Sequence, residues 1–144
     1  MTERGPGQDR TRDQGQDLEV AAVIEQLYAA LGDRPAFDRH LHPDITIWES
    51  DAEEMLRGTA DLDRLRDTRA DAEGAERPVR VAAESLLTDI WGETAVARYL
   101  LRVAHAAPAR PDTCFRVTDV LRRTDRRWLI VHHHSEAIVA GGQS

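Results

Sequence analysis

The stretch that decides the fold is Arg116-Val-Thr-Asp-Val-Leu-Arg-Arg-Thr-Asp-Arg-Arg-Trp-Leu-Ile-Val-His-His-His-Ser135. It reads as two strands joined by a tight polar turn around Asp125-Arg126. On the first strand Phe115, Val117, Asp119 and Leu121 share one face, and Arg116, Thr118 and Arg122 share the other. Asp119 therefore lies on the apolar face, where a carboxylate is costly unless it is paired or used. The second strand carries three consecutive histidines, His132, His133 and His134.

Which histidine meets Asp119 depends on the turn. A three-residue loop with a bulge pairs Arg123 with Arg127, sets Asp119 opposite Val131 and leaves His133 diagonal to it. A two-residue loop sets Asp119 opposite His132 instead. Either pair suits proton transfer to or from a reacting group, because one member orients or charge-balances the other. Tyr99 shares an inward face with Leu101 and could donate to a developing oxyanion. Trp48 and Phe115 could form a flat apolar wall. The structural alternative has Asp119 capping a buried arginine or satisfying a histidine, and Tyr99 bonded to a backbone carbonyl.

Upstream of this hairpin the period-2 pattern extends back to Pro78. Val79, Val81, Ala83, Ser85 and Leu87 form one face of a strand, and a turn around Trp91-Gly-Glu93 leads to the strand bearing Tyr99, Leu101, Val103 and His105. The segment from Pro108 to Pro111 breaks it, and the last strand is expected from Trp128 to Val139. Before Pro78 the period is helical. Val20, Val23, Ile24, Leu27, Tyr28 and Leu31 form a stripe over Leu18–Leu31, capped by Asp17 and Gly32. A short helix is expected over Pro35–Leu41, a β segment over Ile45–Glu49, and a third helix from Thr59 as N-cap. Helices followed by an antiparallel meander make an α+β chain.

Composition bounds the function. With 144 residues and 41% apolar side chains, one domain with a real core is expected. A net charge of −7 argues against a nucleic-acid partner. No apolar run approaches the ~20 residues of a membrane span, and no signal-peptide core is visible, so neither membrane nor export is expected. Cys114 is the single cysteine, which points to a reducing cytoplasm. All 19 basic residues are arginine, which excludes a lysine Schiff base and fits a GC-rich genome. There is no glycine-rich phosphate loop and no dinucleotide fingerprint, so no cofactor is expected. Residues 1–16 hold no aliphatic side chain after Met1 and read as a disordered tail. Residues 17–140 form the domain and 141–144 a short flexible tail.

The other polar residues have competing readings. His132 and His134 lie two apart on one strand face, but a metal would need a third ligand such as Glu136, and no metal is expected. With Trp128, Ile130 and Ile138 they instead suggest an apolar outer strip for a subunit contact. His40 and His42 are expected at the surface near a helix C-terminus, which favours charged imidazole. Glu49, Asp51, Glu53 and Glu54 form an acidic turn, read as a solvated loop or a cavity rim.

The string Trp128-x-x-Val131-His132-x-His134-Ser135, with this element order, resembles the SnoaL-like branch of the nuclear transport factor 2-like superfamily. Trp48-Glu-Ser-Asp-Ala-Glu-Glu-Met-Leu-Arg-Gly58 and Glu93-Thr-Ala-x-x-x-Tyr99 are similar to the association domain of calcium/calmodulin-dependent protein kinase II. The resemblance spans about residues 18–138. It implies N-terminal helices packed in a strongly curved antiparallel sheet, a cone whose open end holds a ligand, and a homodimer built through the outer sheet face. It also implies His133 and Ser135 inside, with His132 and His134 outside. The kinase domain's ligand-binding arginines fall on Leu101, Asp119 and Ser135, so its acidic-ligand pocket is not implied here. The expected pocket comprises Trp48, Leu101, Phe115, Val117 and Ser135, with Asp119, His133 and Tyr99 as catalytic residues. The family includes isomerases, dehydratases, epoxide hydrolases and polyketide cyclases, and also noncatalytic binders. The function expected is acid/base isomerisation, cyclisation or dehydration of a hydrophobic oxygenated small molecule in bacterial secondary metabolism. The alternative is a noncatalytic ligand-binding or oligomerisation module: an Asp119 that is dry, bonded to a histidine and open to a cavity would favour the enzyme, and an Asp119–arginine pair the module.

Overall fold

The deciding hairpin joins β5 (Thr113–Thr124) to β6 (Arg127–Ala137) through a two-residue turn. The computed structural model of the chain describes residues 6–73, 78–105 and 111–138. Asp125 and Arg126 both take positive φ, 51° and 68°, the geometry that matches strand twist in a tight hairpin. Pairing runs in step from Thr124↔Arg127 to Leu121↔Ile130, then shifts so that Val120 meets His132 and Asp119 meets His133. Val131 is the extra residue of a β-bulge.

Neither expected register is therefore correct. The loop is the short one, and the bulge lies inside the strand rather than in the turn. The consequence is a change of face. Because side chains alternate along a strand, the bulge lets Trp128 and Ile130 point inward together with His133 and Ser135. Trp128 and Ile130 are 3% and 0% exposed, so the expected outward strip does not exist. His132 and His134 do stay on the outer face, where Nδ1 of His132 lies 2.7 Å from Thr46 Oγ1.

The remaining strands are β1 (Leu41–Trp48), β2 (Leu56–Arg57), β3 (Pro78–Trp91) and β4 (Thr94–His105), in the spatial order β2-β1-β6-β5-β4-β3. The four strands β3 to β6 form the expected antiparallel meander. β1, however, runs parallel to β6, so the six-stranded sheet is mixed rather than purely antiparallel. A second bulge interrupts β3, where the register shifts between Glu84 and Leu87 and Ser85 takes φ 58°. It turns Leu86 toward the core and leaves Leu87 58% exposed, against the expected alternation.

Three helices, α1 (Pro6–Ala29), α2 (Arg34–Asp38) and α3 (Gly58–Glu73), complete the described elements. Val20, Ile24 and Leu27 of α1 pack into a core with Ile45, Ile47, Val117, Leu121, Trp128 and Ile130. The helix begins at Pro6 rather than Asp17, which corrects the tail reading for residues 6–16. Proline is favoured at the first helical position, where its missing N–H leaves no helical bond unmade. Residues 1–5 and the expected tail 141–144 lie outside the described residues, as does most of the break near Pro108.

α2 is capped by Asp33, whose carboxylate accepts from Ala36 N, and it stops at Asp38 because Leu41 already belongs to β1. α3 starts at Gly58, at φ 76°, so Thr59 is not its cap. The Asp61 carboxylate reaches back instead to the Arg57 backbone N–H. His40 is 7% exposed rather than superficial, and burial, with Arg39 and Arg127 nearby, pulls its imidazole below the ordinary value. No described helix is long and apolar enough to cross a membrane.

Candidate functional site

The concave face of the sheet encloses a cavity of about 480 Å³. Its deep wall is apolar, with Leu27, Leu41, Ile45, Ile47, Leu101 and Phe115 among the lining residues. His133 and Ser135 of β6 open onto it, as do Tyr28 of α1 and Glu49 just after β1. The β1–β6 pairing sets Ile47 beside His133, and this brings Glu49 to the imidazole.

His133 is the centre of the site. Its Nδ1 is 2.6 Å from Asp119 Oδ1, and its Nε2 is 3.6 Å from Glu49 Oε2. Asp119 is fully buried, and its second oxygen accepts from the Tyr99 hydroxyl at 2.6 Å. Tyr99 is in turn 2.7 Å from the Tyr28 hydroxyl. Since the Tyr99 proton goes to Asp119, Tyr28 donates to Tyr99 and keeps a lone pair free on its own oxygen. The network then continues from Glu49 to Arg69 at 3.1 Å, and Arg69 is anchored on Asp51 at 2.9 Å.

This arrangement settles the tautomer. An acceptor-only carboxylate at Nδ1 makes that nitrogen the donor, so Nε2 is the atom that gains or loses a proton. Burial pushes the imidazole down, but Asp119 and Glu49 outweigh it and hold His133 above its ordinary value. The two tyrosines move the other way from reactivity. Burial, reinforced by the Asp119 charge, raises both hydroxyls well above the ordinary tyrosine range, so they stay protonated. On the outer face burial lowers His132, with the neighbouring histidines adding to the effect.

The structure brings together some of the sequence-predicted site and disperses the rest. His133, Leu101, Phe115 and Ser135 are among the residues that line the cavity. Asp119 lies behind His133 and is not among the lining residues, so it can position the imidazole but cannot touch a ligand. Tyr99 is screened behind Tyr28, which corrects its assignment as an oxyanion donor. Val117 is buried beneath the wall. Trp48 is 42% exposed because it shares the outer face with His134, so it forms no cavity wall.

Three residues of this network were not singled out as site residues from the sequence: Tyr28, Arg69 and Glu49. Tyr28 looked like one more member of the α1 stripe, and Arg69 lay on a helix whose apolar face is narrow. Glu49 was visible as part of an acidic turn, of which Glu49 and Asp51 line the cavity while Glu53 and Glu54 are exposed. Among the described residues no group of three or more His, Cys, Asp or Glu side chains is placed to hold a metal ion.

The helices, the bent mixed sheet and the enclosed cavity define the nuclear transport factor 2-like class. The chain belongs to the SnoaL-like domain family, whose profile matches residues 20–140. No curated protein matches it significantly. Among solved structures it is similar to a nuclear transport factor 2-like protein of Pseudomonas putida, at 20% identity over 86% of this chain and 87% of the other, with a TM-score of 0.74. It is also similar to the calcium/calmodulin-dependent protein kinase II hub of S. rosetta, at 21% identity over 84% and 95% of the two chains, with a TM-score of 0.70. A third similar structure, from Parabacteroides distasonis, is provisionally named a ketosteroid isomerase; it shares 18% identity over 83% and 85% of the chains, with a TM-score of 0.63. At these identities the likenesses establish the fold.

Proposed function

We propose that this protein is a cofactor-independent acid/base enzyme acting on a hydrophobic, oxygen-bearing small molecule by isomerisation, cyclisation or dehydration. The observation that carries the proposal is His133, with Nδ1 tied to buried Asp119 and Nε2 free on an apolar cavity beside Glu49. Such a histidine takes a proton at Nε2 as a base and returns it as an acid, while Asp119 fixes ring orientation and balances the charge. Asp119 is dry and bonded to a histidine and a tyrosine rather than to an arginine, which favours this reading over the noncatalytic module, but it is not open to the cavity itself and acts there only through His133. The name of the Parabacteroides relative points to the same reaction type. A cytoplasmic role in bacterial secondary metabolism fits the single cysteine and the GC-rich residue usage.

The test does not need the natural substrate. A panel of bicyclic and tricyclic ketones is incubated in D₂O, and deuterium exchange at the carbon next to the carbonyl is followed by proton NMR. Exchange by the wild-type protein, reduced by about 10²–10⁴-fold in His133→Ala, is the expected result. Ligand binding with no exchange on any member would favour the noncatalytic module.

Self-association through the outer sheet face is part of the same proposal. Its support is now Trp48, Leu87 and Trp91, each between 42% and 59% exposed on that face, in place of the buried Trp128 and Ile130. Light scattering after size exclusion tests it, and a monomer at micromolar concentration removes it.

A further inference from the structure

Three guanidiniums, on Arg34, Arg66 and Arg69, line the cavity. An arginine-lined cavity ordinarily suggests an anionic ligand. Each of these arginines, however, is already held by two carboxylates. Arg34 is 3.4 Å from Asp63 and 2.9 Å from Asp67. Arg66 is 2.5 Å from Asp38 and 2.9 Å from Asp63. Arg69 is 3.1 Å from Glu49 and 2.9 Å from Asp51, with its Nε also donating to Asp51. Asp33 adds a further carboxylate to the lining.

The other basic side chains of the lining are two imidazoles: His105, whose Nε2 is 3.1 Å from Thr113 Oγ1, and His133, whose charge, when present, is balanced by Asp119. Three carboxylates, Asp33, Glu49 and Asp51, line the cavity with the three guanidiniums, and Asp38, Asp63 and Asp67 pair with those guanidiniums in addition. An anion entering this site must either take a guanidinium from its partners or sit beside carboxylates that keep theirs. Both are unfavourable, and an interior of low dielectric strengthens the repulsion. Arg34 is 43% exposed, and Asp63 and Asp51 are more so, at 46% and 53%, so water weakens the contribution of all three. The discrimination therefore rests on Arg66 and Arg69, whose side chains are 14% and 35% exposed.

We propose that the cavity selects uncharged, hydrogen-bonding ligands and rejects carboxylates and phosphates, with Asp51 and Asp63 as the specificity-determining residues. This rests on the small-molecule reading above and names its substrate class. Asp51 shares Arg69 with Glu49, and Asp63 shares Arg66 with Asp38, so removing either charge leaves a guanidinium with one carboxylate and a free donor for a ligand. Neither carboxylate contacts His133 in the described contacts, so both can be changed without dismantling the proton-transfer pair.

The test compares isosteric neutral and anionic probes. Binding of 2-naphthamide against 2-naphthoate, and of anthraquinone-2-carboxamide against anthraquinone-2-carboxylate, is measured by calorimetry and saturation-transfer NMR at neutral pH. The amides are expected to bind at least tenfold more tightly than the acids. In the double variant Asp51→Asn, Asp63→Asn the preference should fall below about threefold, through gained affinity for the acids, with the thermal midpoint showing the variant folded. Acids binding as well as amides in the wild type would overturn the selection while leaving the pocket reading intact. A preference unchanged in the folded variant would overturn the assignment to Asp51 and Asp63. If none of the four probes binds at millimolar concentration, the pocket reading itself fails and this inference goes with it.

Discussion

Asp119 and His133 face each other directly across β5 and β6, carboxylate Oδ1 to imidazole Nδ1 at 2.6 Å. The contact exists because a two-residue turn and a one-residue bulge act together. The turn alone would set Asp119 opposite His132, which points out of the barrel of the cone. The inserted Val131 moves the next histidine into place and turns it inward.

Asp119→Asn should lower the His133 titration midpoint. Burial then acts on the imidazole with only Glu49 left to oppose it. The amide can accept at one position only, while both His133 Nδ1 and the Tyr99 hydroxyl require an acceptor. Either one donor is left buried and unpaired, which costs about 1–3 kcal/mol, or the imidazole turns to its Nε2–H tautomer to accept from the amide and can no longer take a proton at Nε2. Histidine-detected NMR titration and urea unfolding measure the two effects. An unmoved His133 midpoint would refute the coupling.

Tyr99→Phe should shift the same midpoint the opposite way. Losing the hydroxyl removes a donor from Asp119 Oδ2 and concentrates the carboxylate's charge on His133. The imidazolium is then held more firmly and the midpoint rises. If Tyr99 were instead an oxyanion donor in the cavity, this variant would lose activity and leave the His133 titration in place.

Much of this was legible in the sequence, for identifiable reasons. Alternation placed Asp119 and Tyr99 inside, and helical spacing placed Val20, Ile24 and Leu27 in the core, because each pattern follows from a single local period. The bulges were not legible. One extra residue carries no compositional mark, yet at Val131 it reverses the face of everything between it and the turn. That is why Trp128 and Ile130 read as an outer strip and are in fact core. Ser85 reverses Leu86 and Leu87 in the same way. The Glu49–His133 contact depends on a parallel pairing between strands far apart in the chain, which no local pattern reports.

Arg126→Gly should stabilise the fold. Arg126 is exposed and sits at φ 68° in the tight turn, a conformation that costs an L-residue about 1–2 kcal/mol. Glycine removes that strain at a smaller entropic cost, leaving a net gain of about 0.5–1 kcal/mol. Differential scanning calorimetry should show a higher midpoint. A loss of stability would argue for the longer loop, in which this residue is not forced to positive φ.

The last prediction links stability and activity through His133. Its folded value is raised above the unfolded one, ordinarily near 6.5. The stabilisation it brings is therefore complete below about pH 6.5 and is lost as the pH rises through the folded value. Asp119 and Glu49 face the imidazole and favour its charge, while Arg69 opposes it more weakly. Catalysis by the neutral base runs the other way, gaining over the same interval as Nε2 loses its proton. Urea midpoints and ketone exchange rates, measured in steps from about pH 6 to about pH 9, should cross in opposite directions. In His133→Gln the decline in stability should flatten and the exchange should disappear. A variant that keeps the wild-type slope in stability would show that another group titrates there, and the assignment of His133 as the proton-transfer residue would fall.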